Sequence, residues 1–546
     1  MKEVDEILRN KFGDVYDILL TKQIELNGEY YCFNNTKRAL NLLYKHIKNQ
    51  SGIAFHADVD VDGIGTTYIM SKALGFLGSK QQYFMMNQNK DHGIHDGHLK
   101  FLDGKEIGLL IITDSSGNNI EIMDKFPCDV LCIDHHDSDG SDNYRETEID
   151  GVKYQRVIVN NTIDSSTYEE DLAWLHSINK PDLKNIKRYY ADKDMSCGLV
   201  VYEILRIFCS ILNKDKLLEN AKLYQWVAVT LFTDSVNLLN VRNQRYIANT
   251  VFSFDVEVTL YSIMKQISSY NSIATKSFIT FSLAPIINKA IRANAGMRAL
   301  EDVIYNLNTI KSLKLFEIVQ TEAIEKATTT EIAGKRYKNV FSTDTIMLDI
   351  SKLGVSRNYT GVIASRLCGD NSKSAAVYVV NEYGQCEGSF RGKSKSQDYR
   401  KFFEEYEDGV YAQGHPLAFG FKLSSELLRE IMKDISVLDN VDDSVLLSAG
   451  DIDREKRGAY HVEDLEKFRR EGYLYKLAMI NARVNSHDEI GIIVSRQSIK
   501  LKEQRGKLYL YDVMGIECKA FSVLEGDTYQ IYPEYGKELN LFLKER

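Results

Sequence analysis

His56, Asp58, Asp60 and Asp62 crowd into the stretch GIAFHADVDVDGIGT, Gly52 to Thr66. Carboxylates that close repel one another, and sharing a site raises a carboxyl pKa strongly unless a cation sits between them. Carboxylate oxygens and imidazole nitrogens are donors for divalent metals, so metal binding is the chemistry this stretch points to. Two residues apart along an extended segment, side chains point the same way, which would converge the three aspartates on one spot.

Such a spot needs elements to hold it. The apolar run before His56 reads as a buried strand, and in a parallel α/β sheet the ligand crevice lies at the carboxyl ends of strands. TTYIMSKALGFLG reads as the helix that follows, with Gly63 and Gly65 suited to a tight strand-to-helix turn or, less specifically, to a phosphate cradle. IGLLIITDSSG, Ile107 to Gly117, is a second apolar run and ends on Asp114. DVLCIDHHDSDG, Asp129 to Gly140, is a third and ends on Asp134, His135 and His136. A single acid in such a place is commonly a solvated turn, whereas three successive strands delivering Asp or His to one edge make a site. A fourth run, Tyr154 to Val159, ends at Asn160 and Asn161. A polar stretch with Asp192 and Asp194 leads to SCGLVVYEILRIFCSIL, an apolar helix. WVAVTLFTDSVNLL, helix or strand by its pattern, adds Asp234, and residues 1 to about 50 have the three- and four-residue apolar spacing of helices.

At 546 residues the chain exceeds what one core supports, so three or four domains are expected. The 44% apolar and 27% charged composition is that of a globular protein and argues against disorder. No run is long enough to span a membrane, and MKEVDEILRNKFGD lacks a signal peptide's apolar core, so a cytoplasmic location is expected. The cysteines are scattered without zinc-finger spacing, which predicts reduced thiols. A net charge of −9 gives no global sign of nucleic-acid binding, although bound cations and a local basic groove would offset it.

HADVDVDG, ITDSSG, IDHH and LFTDSV, in that order, resemble the four motifs of the DHH phosphoesterase superfamily. That superfamily includes RecJ single-strand exonucleases, oligoribonucleases, cyclic dinucleotide phosphodiesterases and family II inorganic pyrophosphatases. The RecJ branch is favoured by KDHGIHDGH, which stands where RecJ proteins have a glycine and tyrosine signature, and by LAPIINKAIRANAG, which is similar to their linker motif and contains Arg292. Asn243 and Arg245 match the pattern after their last acid. NYTGVIASRL, CEGSFRG and QGHPLAFGF resemble the DHH-associated C-terminal domain, so the likeness covers roughly residues 50 to 430.

The resemblance implies an α/β architecture: N-terminal helices and a doubly wound parallel-sheet DHH domain over 1–240, and a helical linker over 241–335. A smaller α/β DHH-associated substrate-binding domain follows over 336–437, then a β-rich OB-like domain over 438–546. The last follows the acidic linker VLDNVDDSV, and YLYKLAMINARV, EIGIIVSRQSIKL, KLYLYDVMG and DTYQIYPEY read as its strands. Tyr509, Tyr511 and Tyr529 there suit either packing or base stacking.

Two metals suit phosphodiester hydrolysis, and the mixed oxygen and nitrogen donors suit Mn²⁺, with Mg²⁺ as the substitute. Carried over from the family, His56, Asp60 and Asp114 would hold one ion, and Asp62, Asp114, His135 and Asp234 the other. His136 would face the phosphate and Asp134 would orient a histidine. RecJ proteins have an acid at Asp58, whereas other branches rely on the histidine at His56; this chain has both. Ser389, Arg391, Gly414, His415, Arg292 and Lys90 are the implied substrate-binding residues, with RGKSKSQDYRK as a basic patch beside the serine and arginine of GSFRG. Three positions depart from the pattern: Gln413 replaces the first of two glycines, Phe419 a small residue, and Asn89 with Lys90 an arginine expected to bind the 5′ phosphate.

The expected function is a Mn²⁺-dependent exonuclease releasing 5′-mononucleotides from the 5′ end of single-stranded DNA, with single-stranded nucleic acid as partner and DNA repair, recombination or replication as context. The alternatives are an oligoribonuclease or cyclic dinucleotide phosphodiesterase, and a catalytically silent scaffold, which would predict eroded ligands.

Overall fold

The apolar runs that end in acids are neighbouring strands. In the computed structural model they are β1 (Gly52–Ala57), followed by α1 (Val61–Phe76) and β2 (Gln82–Met86), then β3 (Ile107–Thr113) and β4 (Asp129–Asp134). A hairpin of β5 (Tyr144–Ile149) and β6 (Val152–Asn160) completes a sheet of order β2-β1-β3-β4-β6-β5. All neighbours are parallel except β5, which runs antiparallel to β6 at the edge. From β1 the chain steps to β2 on one side and returns to β3 on the other. That reversal is the place where open α/β sheets put their ligand crevice. The structure describes residues 2–439 and 460–545 apart from short gaps, the longest at 189–193, 268–273 and 536–540, and no side chains beyond Ile492.

Every residue of β1 and β4 is buried, as a strand covered on both faces requires. On one face Ala54, Leu110, Ile112, Val130 and Cys132 pack with Ile120, Met123 and Phe126. Each such aliphatic side chain contributes about 1.5–3 kcal/mol on burial. α2 (Cys197–Ile211) and α3 (Tyr224–Thr233) are buried almost throughout, which explains why their sequences are apolar around the whole circumference. WVAVTLFT, ambiguous in sequence, is thus helical.

The chain divides into two compact units, one of residues 1–291, 295–312 and 457–546, the other of 292–294 and 313–456. In the first, YLYKLAMINARV is not a strand as expected: α5 (Tyr473–Asn481) is a helix. Tyr473, Leu474, Leu477 and Ala478 are buried at helical spacing, and this period outweighs the strand preference of the tyrosines. The helix shares a core with Leu8, Phe12, Tyr16 and Leu19 of the N-terminal helices, and Lys476 Nζ lies 2.8 Å from Asp5. The strands that flank this helix in sequence, within residues 460–545, form a largely antiparallel sheet of eight strands, on which Tyr509, Tyr511 and Tyr529 fall outside the described side chains.

The second unit carries β7 (Ile346–Asp349), α4 (Thr360–Asn371), β8 (Ala375–Val380), β9 (Gln385–Arg391), β10 (Tyr411–His415) and β11 (Ala418–Ser424). Its sheet order is β7-β8-β9-β11-β10, antiparallel apart from the first pair. Phe419, large where a small residue was expected, fills the core against Phe390 and Phe403 at ring distances of 5.1 and 4.9 Å.

Candidate metal centre

The three aspartates of the opening stretch do not alternate along a strand, because β1 ends at Ala57. Asp58 follows the strand, Asp60 is the N-cap of α1, and Asp62 lies in the first turn of that helix. Asp60 Oδ1 accepts the Gly63 N–H at 2.8 Å, a cap that contributes about 1 kcal/mol. Gly63 and Gly65 are helical, not turn residues. A Cβ on Gly63 would lie 2.7 Å from the Asp58 carbonyl oxygen, and one on Gly65 2.7 Å from Thr230 Cγ2, so the pair serves close packing.

Asp62 is buried where α2 begins. Its Oδ1 accepts from Thr66 Oγ1 at 3.0 Å and from the Gly198 N–H at 3.3 Å, and its Oδ2 from the Cys197 N–H at 3.1 Å. The partial positive charge of a helix N-terminus favours a carboxylate in this place. Asp114 follows β3 in the left-handed region at φ 68°, its N–H donating to Ile133 O at 2.9 Å. For a residue other than glycine that conformation costs about 1–3 kcal/mol, so the surrounding structure holds this carboxylate in place against strain.

His135 Nδ1 is 2.8 Å from the Met195 carbonyl oxygen, which can only accept, so Nδ1 carries a proton and, in the neutral ring a metal ligand requires, Nε2 presents a lone pair. That lone pair faces Asp114 Oδ1 at 3.2 Å, with Asp62 Oδ2 at 3.9 Å, and Asp234 Oδ2 is 3.5 Å from Nδ1. Asp114 Oδ1 receives no hydrogen bond. Two electron-rich atoms facing each other in a buried site fit a cation between them.

Three sets of ligand atoms each lie within 4.8 Å of one another: Asp58, Asp60 and Asp114; Asp62, His135 and Asp234; and Asp114, His135 and His136. Burial pushes the Asp62 carboxyl up to about 7, helped by the charge of Asp234. Burial and the charges of Asp62, Asp60 and Asp58 push Asp114 well above the usual carboxylate range. The donor set therefore fits divalent cations, with Asp114 common to two of the sets.

Asp134 is arranged differently. Its Oδ2 accepts from the Gly117 N–H at 2.7 Å, and its Oδ1 accepts from the His135 N–H at 2.8 Å and lies 2.7 Å from His136 Nδ1. Burial opposes the charge, but these donors hold Asp134 well below the usual range. The half-exposed His136 is lifted to about 10 by Asp134 against the opposing effect of burial. Asp134 thus favours the imidazolium, with Nδ1 fixed and Nε2 turned from Asp134.

His56 stands apart from the three sets among the described residues. It is wholly buried in β1, its ring 4.8 Å from that of His98, and burial with the neighbouring His98 lowers it to about 3.

In the second unit Ser389 Oγ on β9 is 2.9 Å from Thr360 Oγ1 at the start of α4. Arg391 Nε donates to Ser365 Oγ at 2.9 Å, and Arg292 Nη1 to Gln320 Oε1 at 3.0 Å. Burial and the like charge of Arg292 hold the Arg391 guanidinium below its ordinary pKa. Gly414 lies on β10 at φ 135°, paired with Phe419, while Lys90 and the side chain of His415 lie outside the described residues. Thr360, Ser365 and Met195 were not singled out in the sequence. Only for Thr360 was there a signal, a threonine opening an apolar helical run.

Residues 52–167 match the DHH family, N-terminal domain, a span that includes β1 to β6 and the DHH triplet itself. Residues 52–167 are thus a DHH-family N-terminal domain. The chain is 21% identical over 459 residues to the putative SPbeta prophage-derived single-strand DNA-specific exonuclease YorK of Bacillus subtilis (strain 168), covering 76% of this chain and 71% of that one. The fold resembles that of RecJ in complex with Mn²⁺ from Thermus thermophilus, with a TM-score of 0.62 and 13% identity over 98% of this chain and 77% of that one. It also resembles an exonuclease RecJ bound to manganese, with a TM-score of 0.50 and 15% identity over 75% of this chain and 95% of that one. Among the described residues, no helix is long and apolar enough to cross a membrane.

Proposed function

We propose that the chain is a Mn²⁺-dependent exonuclease that hydrolyses single-stranded DNA from its 5′ end to 5′-mononucleotides, with Mg²⁺ as the alternative ion. The observation that carries this reading is the buried Asp114 carboxylate, common to the ligand set with Asp58 and Asp60 and to the set with His135 and His136. Asp58 and Asp60 would complete one site with Asp114, and His135 would link Asp114 to Asp62 and Asp234 in the other. Divalent ions bound there supply charge neutralisation of the phosphoryl group and a water of lowered pKa. His136, held by Asp134, donates from Nε2 to a phosphate oxygen as charge develops. Ser389, Arg391 and Arg292 supply a hydroxyl and two guanidinium groups for a terminal phosphate, which supports 5′ polarity. The DNA-specific exonuclease and the Mn²⁺- and Mg²⁺-bound RecJ structures among the relatives support the substrate and the ion.

Oligonucleotides labelled at either end and incubated with Mn²⁺ test this. The expected result is early release of a 5′-labelled mononucleotide and late release of the 3′ label. Internal fragments alone, release from the 3′ end, or no cleavage contradict it, and a strong preference for dinucleotides selects the short-substrate reading.

A further inference from the structure

Each acid of the metal edge is held by a different device, and that of Asp58 comes from a loop the catalytic reading leaves unused. His92 Nδ1 is 2.6 Å from Asp58 Oδ2, and the Gly93 N–H donates to Asp58 Oδ1 at 3.3 Å. Both oxygens of a carboxylate that is itself 2% exposed are thus gripped from one side, by a histidine whose side chain is 55% exposed.

The loop that presents His92 is fixed at several points. Asn87 Nδ2 donates to Asp91 O at 2.8 Å and to Gly93 O at 2.5 Å, and the Ile94 N–H donates to Ser116 Oγ at 2.8 Å. Gly93 adopts φ +79°, and a Cβ there would lie 2.9 Å from Ser116 Oγ, so the backbone reaches the acid loops only because the residue is glycine. Ser116 is itself in the left-handed region at φ 70°, two residues after Asp114. The strap 92–94 therefore ties the loop after β1 to the loop after β3.

We infer that His92 is a positioning residue for Asp58, fixing the rotamer in which that carboxylate joins Asp60 and Asp114. The inference rests on the reading of this edge as a metal centre. A hydrogen-bonding partner that orients a ligating carboxylate changes metal affinity about 10- to 100-fold. An asparagine at this position keeps a donor near the place of Nδ1, whereas an alanine keeps none.

Calorimetric titration of the full chain with Mn²⁺ tests the inference without reference to cleavage. His92→Ala is expected to weaken one of two binding events about 10- to 100-fold and to leave the other within twofold, with His92→Asn recovering most of the loss. Two unchanged events in His92→Ala, or equal weakening of both, overturn it. Asp58→Ala separates this failure from that of the metal reading. If it too leaves both events unchanged, the edge does not use Asp58 as a ligand and the underlying reading falls. If it removes one event while His92→Ala does not, only the role of His92 is lost. Should His92→Ala not fold, the comparison passes to His92→Asn and His92→Gln. Asn is expected to bind more tightly than Gln, whose amide is displaced by one carbon, and equal binding overturns the inference.

Discussion

The DHH edge of the first unit and the β9–α4 cluster of the second are like-charge assemblies of opposite sign. At the edge, Asp62 and Asp114 are buried with other acids around them and are pushed toward protonation by burial and mutual repulsion. In the cluster, Arg391 and Arg292 are both pushed toward losing their charge by burial, and Arg391 also by the nearness of Arg292. Each gathers like charges that burial disfavours. Under the proposed function the sign of each matches a ligand, cations at one and a phosphate at the other. Asp134 and His136 are the internal control: a buried acid and its base satisfy each other and require no third party.

Removing the shared acid should break the comparison most severely. Asp114→Ala is expected to lower cleavage by roughly 10²–10³-fold or more with an unchanged circular dichroism spectrum, and full activity in this variant would end the metal reading. The same effect should show in stability. Burial and the charge of Asp234 raise the Asp62 carboxyl to about 7 in the folded protein, above the ~3.9 of an unfolded aspartate. A raised carboxyl favours the protonated fold, so metal-free stability should fall as pH rises from about 4 to 7, by up to roughly 1.4 kcal/mol per unit. Melting curves should therefore show Asp62→Asn more stable than the parent at pH 8 without metal, and a less stable variant would mean the charge is already compensated.

In the cationic cluster the effects are smaller and confined to the substrate. Arg391→Ala is expected to lower kcat/KM for 5′-phosphorylated strands about 10- to 100-fold, less for 5′-hydroxyl strands, without changing Mn²⁺ affinity. Equal losses on both substrates would remove the phosphate from the account. Ser389→Ala should cost about 2- to 10-fold in the same assay, the range of one neutral hydrogen bond.

Much of the centre was legible because buried parallel strands leave a clear trace: GIAFHA, IGLLIIT and DVLCID have apolar interiors, so the acids and histidines at or just after their carboxyl ends mark one edge. The way Asp60 and Asp62 reach the site was not legible, since a cap and a helical turn share the two-residue spacing of an extended chain. The helix Tyr473–Asn481 was misread because aromatic residues suit strands, and its partners, Leu8 and Phe12, lie at the other end of the chain. His92 and Thr360 act through contacts with distant residues, Asp58 and Ser389, that no local pattern records.

Counting Mn²⁺ ions by electron paramagnetic resonance, in the parent and in Asp114→Ala, tests the shared carboxylate most directly. Two magnetically coupled ions per chain in the parent, and loss of the coupled pair in the variant, are the predicted result. A single ion in the parent, or a coupled pair that survives the substitution, would contradict it.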